Sequence, residues 1–121
     1  MTGTRTDLKA TVLVVEDEFM IRADTAETLI ENGLDVIEAS DAEEALDVLA
    51  TRRDVTVLFT DVNLPGMDGL QLARLVRRRW PEIRIIVTSG RIGASEVPGV
   101  FIGKPYRPEI VAETVRHLAG N

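Results

Sequence analysis

The chain has 121 residues, no cysteine and a formal net charge of −6. This length suits one domain with one hydrophobic core, and the lack of cysteine excludes disulfides, thiolate catalysis and zinc–thiolate sites. The negative charge disfavours generic binding to nucleic acid or to an anionic membrane. The apolar runs are too short to span a bilayer, and residues 1–10 do not resemble a signal peptide. We therefore expect a cytoplasmic domain over residues 11–121, preceded by a frayed polar segment over residues 1–10.

Five short apolar runs alternate along the chain with segments of helical periodicity. The runs are Thr11–Val15, Leu34–Ala39, Thr56–Thr60, Ile83–Thr88 and Val100–Gly103. Near-continuous apolar runs such as VLVV and IIV are typical of parallel strands that are covered on both faces. The segments between and after them place apolar residues on one side of a helix at 19–32, 42–51, 69–80 and 108–120. The pattern predicts an α/β fold, a doubly wound five-stranded parallel sheet of order 2-1-3-4-5 and flavodoxin-like type.

The connection between the fourth and fifth strands is unusually short. It comprises the eleven residues Ser89–Gly99, and Gly90, Gly93 and Pro98 lie within it. A complete crossover takes about 10–12 residues including its helix. We therefore predict that the fourth crossover helix is shortened to one or two turns or is absent.

Charged or hydroxyl residues follow four of the five strands, at the edge where open α/β sheets bind ligands. They are Glu16 and Asp17 after strand 1, Asp61 after strand 3, Thr88 and Ser89 at strand 4, and Lys104 after strand 5. Each has an ordinary explanation when taken alone, because a strand-end Asp often caps a helix and a strand-end Lys is usually solvated. Their joint occurrence at one edge favours a functional site.

Three carboxylates that converge at one edge repel one another. At ~5 Å and an effective dielectric constant near 20, one pair costs about 3 kcal/mol. A divalent cation would compensate, and all-oxygen ligands favour Mg²⁺ (or Mn²⁺). A divalent ion beside a carboxylate nucleophile indicates an aspartyl-phosphate mechanism. Lys104 would then supply positive charge to the phosphoryl oxygens, and the Thr88 hydroxyl would supply a hydrogen bond.

Four motifs match one family together. They are V-L-V-V-E-D-E at strand 1, T-D-V-N-L-P-G-M-D-G after strand 3, V-T-S-G at strand 4 and K-P-Y after strand 5. Over about residues 10–119 the chain resembles the CheY-like receiver domain of response regulators in two-component signalling.

The resemblance assigns roles residue by residue. It implies that Asp61 is the phosphoacceptor and that Thr88 and Phe101 are the switch residues. It also implies that Lys104 contacts the phosphoryl group and that Pro105 follows a cis peptide bond. The metal ligands that it implies are Glu16, Asp17, Asp61 and the backbone carbonyl of Asn63.

The resemblance also implies a partner and a cycle. The phosphoryl donor would be a phosphohistidine on a histidine kinase or a histidine phosphotransfer protein, docking on helix 1 and the Pro105–Arg107 loop, with Met20 and Tyr106 as candidate contacts. The domain would phosphorylate and dephosphorylate itself without being a metabolic enzyme, and phosphorylation would switch protein–protein contacts. No nucleic acid or membrane partner is expected. The short Ser89–Gly99 connection departs from the family pattern at its usual dimer surface, so we expect a monomer or weak dimer.

Other interpretations remain open. The chain could be a single-domain regulator or the receiver of a hybrid kinase. It could be a pseudo-receiver, which binds proteins without being phosphorylated, or a Mg²⁺-dependent phosphatase, although no segment exists to build a substrate pocket. A cluster of arginines, Arg74, Arg77, Arg78, Arg79 and Arg84, is either a solvated helix end that interacts favourably with the helix dipole or a docking patch.

Overall fold

The structure is a computed structural model, and it describes residues 10–91 and 97–120. Residues 1–9 of the predicted N-terminal segment lie outside the described residues. The strands are β1 (Thr11–Val15), β2 (Asp35–Ala39), β3 (Val57–Asp61), β4 (Arg84–Ser89) and β5 (Val100–Gly103). The helices are α1 (Phe19–Glu31), α2 (Ala42–Thr51), α3 (Gly69–Arg79) and α4 (Pro108–Gly120).

The strands form one five-stranded parallel sheet in the order β2-β1-β3-β4-β5. Two buried clusters cover its two faces. One cluster joins the sheet to α2 and α3 through residues such as Ala45, Leu49 and Leu72. The other joins it to α1 and α4 through Leu29 and Val115. The predicted doubly wound fold and its strand order are confirmed.

Local signals in the sequence set the helix ends. The Asp41 carboxylate caps α2 by accepting a hydrogen bond of 2.8 Å from the Glu44 N–H. Asp68 and Gln71 form a capping box at the start of α3. That helix ends at Arg79, one residue before the predicted end, and Pro81 prevents its continuation. These caps fix where the loops leave the carboxyl edge of the sheet.

No helix is found between β4 and β5 in the described part of this connection, and residues 92–96 lie outside it. The prediction of a shortened or absent crossover helix agrees with this element order. The chain returns to the sheet at Gly99, whose φ of 149° is a conformation that side-chain-bearing residues rarely adopt. A Cβ at this position would also overlap the backbone carbonyl of Ile85. Glycine is therefore required where β5 begins.

Strands β3 and β4 begin and end one residue later than predicted. Asp61 and Thr88 are paired across these two strands, so the ladder extends to the residues that carry the candidate chemistry. These side chains thus stand on the sheet itself and not on a loop. Among the described residues, no helix is both long enough and apolar enough to cross a membrane.

Candidate functional site

Three carboxylates meet at the carboxyl edge of the sheet, as predicted. Glu16 follows β1, Asp17 comes next in the chain, and Asp61 ends β3, the strand beside β1. One carboxylate oxygen from each lies within 4.8 Å of the other two. Glu16 and Asp61 are buried, whereas Asp17 is exposed. The group therefore has one open side, through which a small ion or a phosphoryl group can approach.

Glu16 is buried but hydrogen-bonded. Its Oε2 accepts a bond of 3.0 Å from the Glu18 N–H, and its Oε1 accepts one of 3.3 Å from Lys104 Nζ. Burial raises the pKa of the Glu16 carboxyl above its ordinary value, and the negative charge of Asp61 raises it further. The hydrogen bonds from Glu18 and Lys104 act in the opposite direction without cancelling the rise. The carboxyl group therefore favours a proton or an added cation.

The ammonium group of Lys104 lies between two of the three carboxylates. Its Nζ is 3.1 Å from Asp61 Oδ2 and 3.3 Å from Glu16 Oε1. Partial burial alone would lower the lysine pKa, but the hydrogen bond and charge of Asp61, helped by Glu16, raise the pKa above its ordinary value. Lys104 therefore remains protonated and supplies a fixed positive charge at the edge. The peptide bond from Lys104 to Pro105 is cis, as expected.

The Thr88 hydroxyl has no hydrogen-bond partner among the described residues, although it is buried. Thr88 is the β4 residue paired with Asp61, and only 1% of its surface is exposed. A buried hydroxyl without a partner costs about 1–3 kcal/mol. The site therefore contains an unused donor and acceptor on the strand next to the Asp61 carboxylate.

Two more residues were predicted to belong to the site, Asn63 and Phe101. Asn63 is exposed in the loop two residues after Asp61. Phe101 is half-buried on β5, and a Cβ added at Gly103 would lie 3.7 Å from its ring carbon Cε2. The edge of the ring thus lies close to Gly103, the residue before Lys104. The roles of Asn63 in metal binding and of Phe101 in switching stay predictions.

Gly69, the last residue of the motif after β3, supports the site by its close contact with the end of that strand. Its N–H donates a hydrogen bond of 2.8 Å to the Val62 carbonyl. A Cβ at this position would overlap the backbone carbonyl of Asp61. The first residue of α3 must therefore be glycine for the helix to lie this close to the end of β3.

Two further contacts were not predicted. Arg22 NH1 donates to the Glu16 carbonyl at 2.8 Å, and its Nε donates to Glu38 Oε1 at 3.0 Å. Tyr106 and Thr25 share a hydrogen bond of 2.9 Å between their hydroxyl oxygens. For the Arg22 contacts, the sequence offers only one signal, the position of this cation one helical turn after Glu18. The first contact fixes the loop that carries Glu16, and the second joins α1 to the loop after Lys104.

A surface cavity of about 650 Å³ lies beside Lys104. Its lining is mostly apolar and comes from α1 and from the loop that leads into α4. The residues are Met20, Ile21, Asp24, Thr25, Lys104, Pro105, Tyr106 and Pro108. Both candidate docking residues, Met20 and Tyr106, therefore border one cavity next to the acidic group.

A doubly wound α/β domain with acidic, hydroxyl and lysine side chains at its carboxyl edge has clear relatives. The family model of the response regulator receiver domain matches residues 12–108. A chemotaxis protein CheY homolog of Campylobacter jejuni is 36% identical over 119 residues, covering 90% of this chain and 92% of that protein. The chain belongs to the response regulator receiver domain family.

Longer proteins contain similar domains. The response regulator protein FleR of Pseudomonas aeruginosa is 33% identical, covering 93% of this chain and 25% of FleR. The sensor kinase CckA of Brucella abortus is 34% identical, covering 93% of this chain and 13% of the kinase. The chain thus spans about a quarter of the length of FleR and less of CckA.

Solved structures give the same fold. The receiver domain from the hybrid histidine kinase CckA is 32% identical, with a TM-score of 0.77, covering 89% of this chain and 97% of that one. A response regulator receiver protein from Pseudomonas putida is 29% identical, with a TM-score of 0.80, covering 90% and 97%. Receiver domains of two-component systems generally use Mg²⁺, and the acidic group described here could bind it.

Proposed function

We propose that this receiver domain accepts a phosphoryl group on Asp61 from a phosphohistidine of a histidine kinase or a histidine phosphotransfer protein. The observation that carries the proposal is the position of Lys104 Nζ, 3.1 Å from Asp61 Oδ2 and 3.3 Å from Glu16 Oε1. An ammonium group bonded to the acceptor carboxylate can neutralise charge that arrives on phosphorus-bound oxygens. The arrangement suits group transfer better than passive binding of a protein surface.

The donor atoms fit a small, hard divalent cation. Three carboxylate oxygens lie within 4.8 Å of one another, and Mg²⁺ prefers oxygen ligands of this kind. We assign the ion to the carboxylates of Glu16, Asp17 and Asp61 and to the backbone carbonyl of Asn63. When bound, it would neutralise the acidic group and the developing negative charge on the phosphoryl oxygens.

Asp61 acts as the nucleophile. One of its carboxylate oxygens bonds to phosphorus as the phosphorus–nitrogen bond of the phosphohistidine breaks, and the imidazole nitrogen keeps the bonding electron pair. Lys104 holds the acceptor carboxylate and then pairs with a phosphoryl oxygen. Water later attacks phosphorus, the bond to the Asp61 oxygen breaks, inorganic phosphate leaves and the carboxylate is restored. The domain thereby phosphorylates and resets itself.

Thr88 couples this chemistry to the shape of the domain. Its buried hydroxyl lacks a partner in the described structure, and a phosphoryl oxygen on Asp61 would provide one. The gain of this hydrogen bond favours a state in which Thr88 moves toward Asp61 and Phe101 turns inward. Because position 101 is Phe, its ring contributes packing and no hydroxyl bond to the inward state.

The cavity beside Lys104 is the proposed docking site for the phosphoryl donor. Met20 and Phe19 on α1 are exposed, and Pro105 and Tyr106 complete the apolar border. A partner helix that seats apolar side chains there would bring its phosphohistidine to the adjacent Asp61. We place residues 11–121 in the cytoplasm as one unit, a monomer or weak dimer, which acts by itself or within a longer protein.

Intact-mass spectrometry after incubation with acetyl phosphate and Mg²⁺ tests the proposal. We expect a gain of one phosphoryl group that hydroxylamine removes, in the wild type but not in Asp61→Asn. The matched control is Asp41→Asn, which makes the same change after β2 and keeps a residue that caps α2 well. If the wild type gains no mass with either acetyl phosphate or phosphoramidate, the chain is a phosphorylation-independent interaction module.

A further inference from the structure

Six of the 14 Lys and Arg residues gather at the edge of the sheet opposite to Asp61. We call this surface the basic edge and define it by Arg52, Arg53, Arg77, Arg78, Arg79, Trp80 and Arg84. Arg84 begins β4 and pairs with Val57, which begins β3. Arg52 follows α2, and Arg77 to Arg79 end α3. The basic edge therefore lies at the amino ends of the strands, in a chain whose net charge is −6.

Two recesses open along the basic edge. One has a volume of about 360 Å³, and Arg52, Arg53 and Trp80 line it together with apolar residues such as Leu49 and Val55. The other has a volume of about 250 Å³ and is lined by Arg77 and Arg84 with apolar residues of β4 and β5. Ile83 lines both recesses. The two recesses are therefore adjacent parts of one surface.

Most of these cations have no acidic partner in the part of the chain that the structure describes. In residues 10–91 and 97–120, no ion pair is formed by Arg53, Arg77, Arg78 or Arg84, and all four side chains are exposed. The remaining two are engaged locally. Arg52 pairs with Asp54 at 2.7 Å, and the Arg79 guanidinium lies 5.9 Å from the centre of the Trp80 ring. Glu82 is the acidic residue that lines a recess here.

Helix dipoles explain part of this clustering. Both α2 and α3 end at the basic edge, and a cation near a helix C-terminus gains about 0.3–1 kcal/mol. Arg84, however, belongs to a strand. Dipoles also do not account for two recesses that arginines and apolar side chains line together. Arg and Trp are enriched at protein–protein interfaces, so a surface of this composition suits a protein partner.

We propose that the basic edge binds an acidic segment of a partner protein, with an apolar side chain of that segment seated beside Trp80 and Ile83. Carboxylates of the segment would pair with Arg53, Arg77 and Arg84. A protein segment fits better than nucleic acid or a lipid surface, because the recesses are small and apolar side chains such as Leu49 and Val55 lie among their arginines. Such side chains offer contacts to a leucine but none to a phosphate.

The basic edge and the acidic site lie at opposite ends of the same strands. A protein bound at the basic edge therefore leaves Asp61 accessible to a phosphoryl donor. Such a contact would tether a partner and raise its local concentration at the domain without blocking the site. Binding at the basic edge does not depend on phosphorylation of Asp61, so an experiment can contradict either proposal and leave the other intact.

Trp80 makes the test direct, because it is the single tryptophan of the chain. We would titrate the protein with a synthetic peptide of about twelve residues, composed of Glu and Asp with two Leu and no aromatic residue, a length typical of linear recognition segments. We expect a saturable change in Trp80 fluorescence that weakens as salt is added. The absence of a saturable change at low salt would overturn the proposal.

Charge reversals locate the binding. Arg84→Glu should weaken the peptide at least about tenfold, because it replaces an attraction by a repulsion at the edge of a recess. Arg91→Glu, with the same charge change at the opposite edge, where the exposed Arg91 follows β4, should leave the affinity within about twofold, since that charge is screened at such a distance. Thermal melting confirms that both variants are folded. Equal weakening by both variants would overturn the proposal.

Competing ligands give the remaining outcomes. A duplex oligonucleotide and vesicles containing anionic lipid are titrated under the same conditions. We expect both to bind more weakly than the peptide, and tighter binding of either would overturn the proposal in favour of that ligand. In sedimentation at low salt, we expect the wild type not to self-associate through the basic edge. Self-association through this edge would be recognised by its loss in Arg84→Glu. Such self-association would assign the basic edge to a second copy of the chain instead.

Discussion

Lys104 Nζ donates a hydrogen bond of 3.1 Å to Asp61 Oδ2, which joins the end of β5 to the end of β3 across the intervening strand. The same ammonium group also reaches Glu16, beyond Asp61 on the far side of the site. One cation thus offsets the repulsion between two buried carboxylates. The stability of this edge and its chemistry therefore depend on the same group.

Lys104→Met should destabilise the domain most when Mg²⁺ is removed. The substitution keeps an apolar stem but leaves Glu16 and Asp61 without their shared cation. Because the lysine is partly exposed, we expect a loss of about 1 kcal/mol in the free energy of unfolding. Saturating Mg²⁺ should reduce that loss, since another cation then offsets the carboxylates. Urea unfolding with Mg²⁺ or with EDTA measures both values, and an equal loss in both would argue against a shared role.

Thr88→Val should stabilise the unphosphorylated domain. It replaces a buried hydroxyl that has no described partner by a methyl group of similar size, and we expect a gain of about 1 kcal/mol. Thr60→Val is the matched control, because the Thr60 hydroxyl donates a bond of 2.9 Å to the Asp61 carbonyl and its loss should cost about 1 kcal/mol. Thermal or urea unfolding compares the two variants. A similar loss in both would show that Thr88 has a partner in solution.

Gly69→Ala should damage both stability and metal binding. The added Cβ would overlap the carbonyl of Asp61, so α3 or the end of β3 must move, at a cost of roughly 1–3 kcal/mol. Gly90→Ala is the control, because its Cβ would lie 3.7 Å from Lys104 Cβ, an ordinary contact. Unfolding measurements and a Mg²⁺ titration of each variant test this prediction. Unchanged Mg²⁺ affinity in a folded Gly69→Ala protein would contradict it.

Mg²⁺ affinity should fall as the pH is lowered. Burial, aided by Asp61, raises the pKa of Glu16, so the folded Mg²⁺-free domain holds this proton more tightly than the unfolded chain does. The Glu16 contribution to stability therefore increases as the pH falls from the folded pKa toward the ordinary value of 4.5. Mg²⁺ must displace the proton, so binding weakens in the same range.

Glu16→Gln separates this effect from the titration of other carboxyl groups. The difference between wild type and variant isolates the Glu16 contribution, measured by calorimetric Mg²⁺ titrations in buffers of different ionisation enthalpy. Proton release on binding should appear in the wild type and shrink in the variant. If the two proteins release the same number of protons at every pH, Glu16 is not the group that titrates.

The sheet order and the acidic edge could be predicted because both follow from local patterns. Continuous apolar runs predict buried parallel strands, and the residues that follow those runs, such as Asp61 and Lys104, must lie at one edge. The bridge from Arg22 to Glu16 and Glu38 could not be predicted, since it depends on how α1 packs against the loop after β1. The contact between Thr25 and Tyr106, which lie 81 residues apart, has no local signature for the same reason.

The arginine cluster is a second feature that the sequence predicts only in part. The sequence places Arg77 to Arg79 at a helix end, and the structure confirms that position. Only the fold brings Arg52 and Arg53, which are more than twenty residues away in the chain, next to Trp80. The sequence alone does not distinguish a helix-end explanation from a docking explanation. The structure adds two recesses, each lined by arginines together with apolar side chains.

Locating the phosphoryl group by mass spectrometry is the most direct test of the central claim. After incubation with acetyl phosphate and Mg²⁺, borohydride reduction converts an aspartyl phosphate to homoserine, and sequencing of the proteolytic peptides identifies the modified residue. We predict modification at Asp61 alone, abolished when Mg²⁺ is replaced by EDTA. Modification at Asp17 or Glu16 in place of Asp61, or none on any residue, would contradict the account.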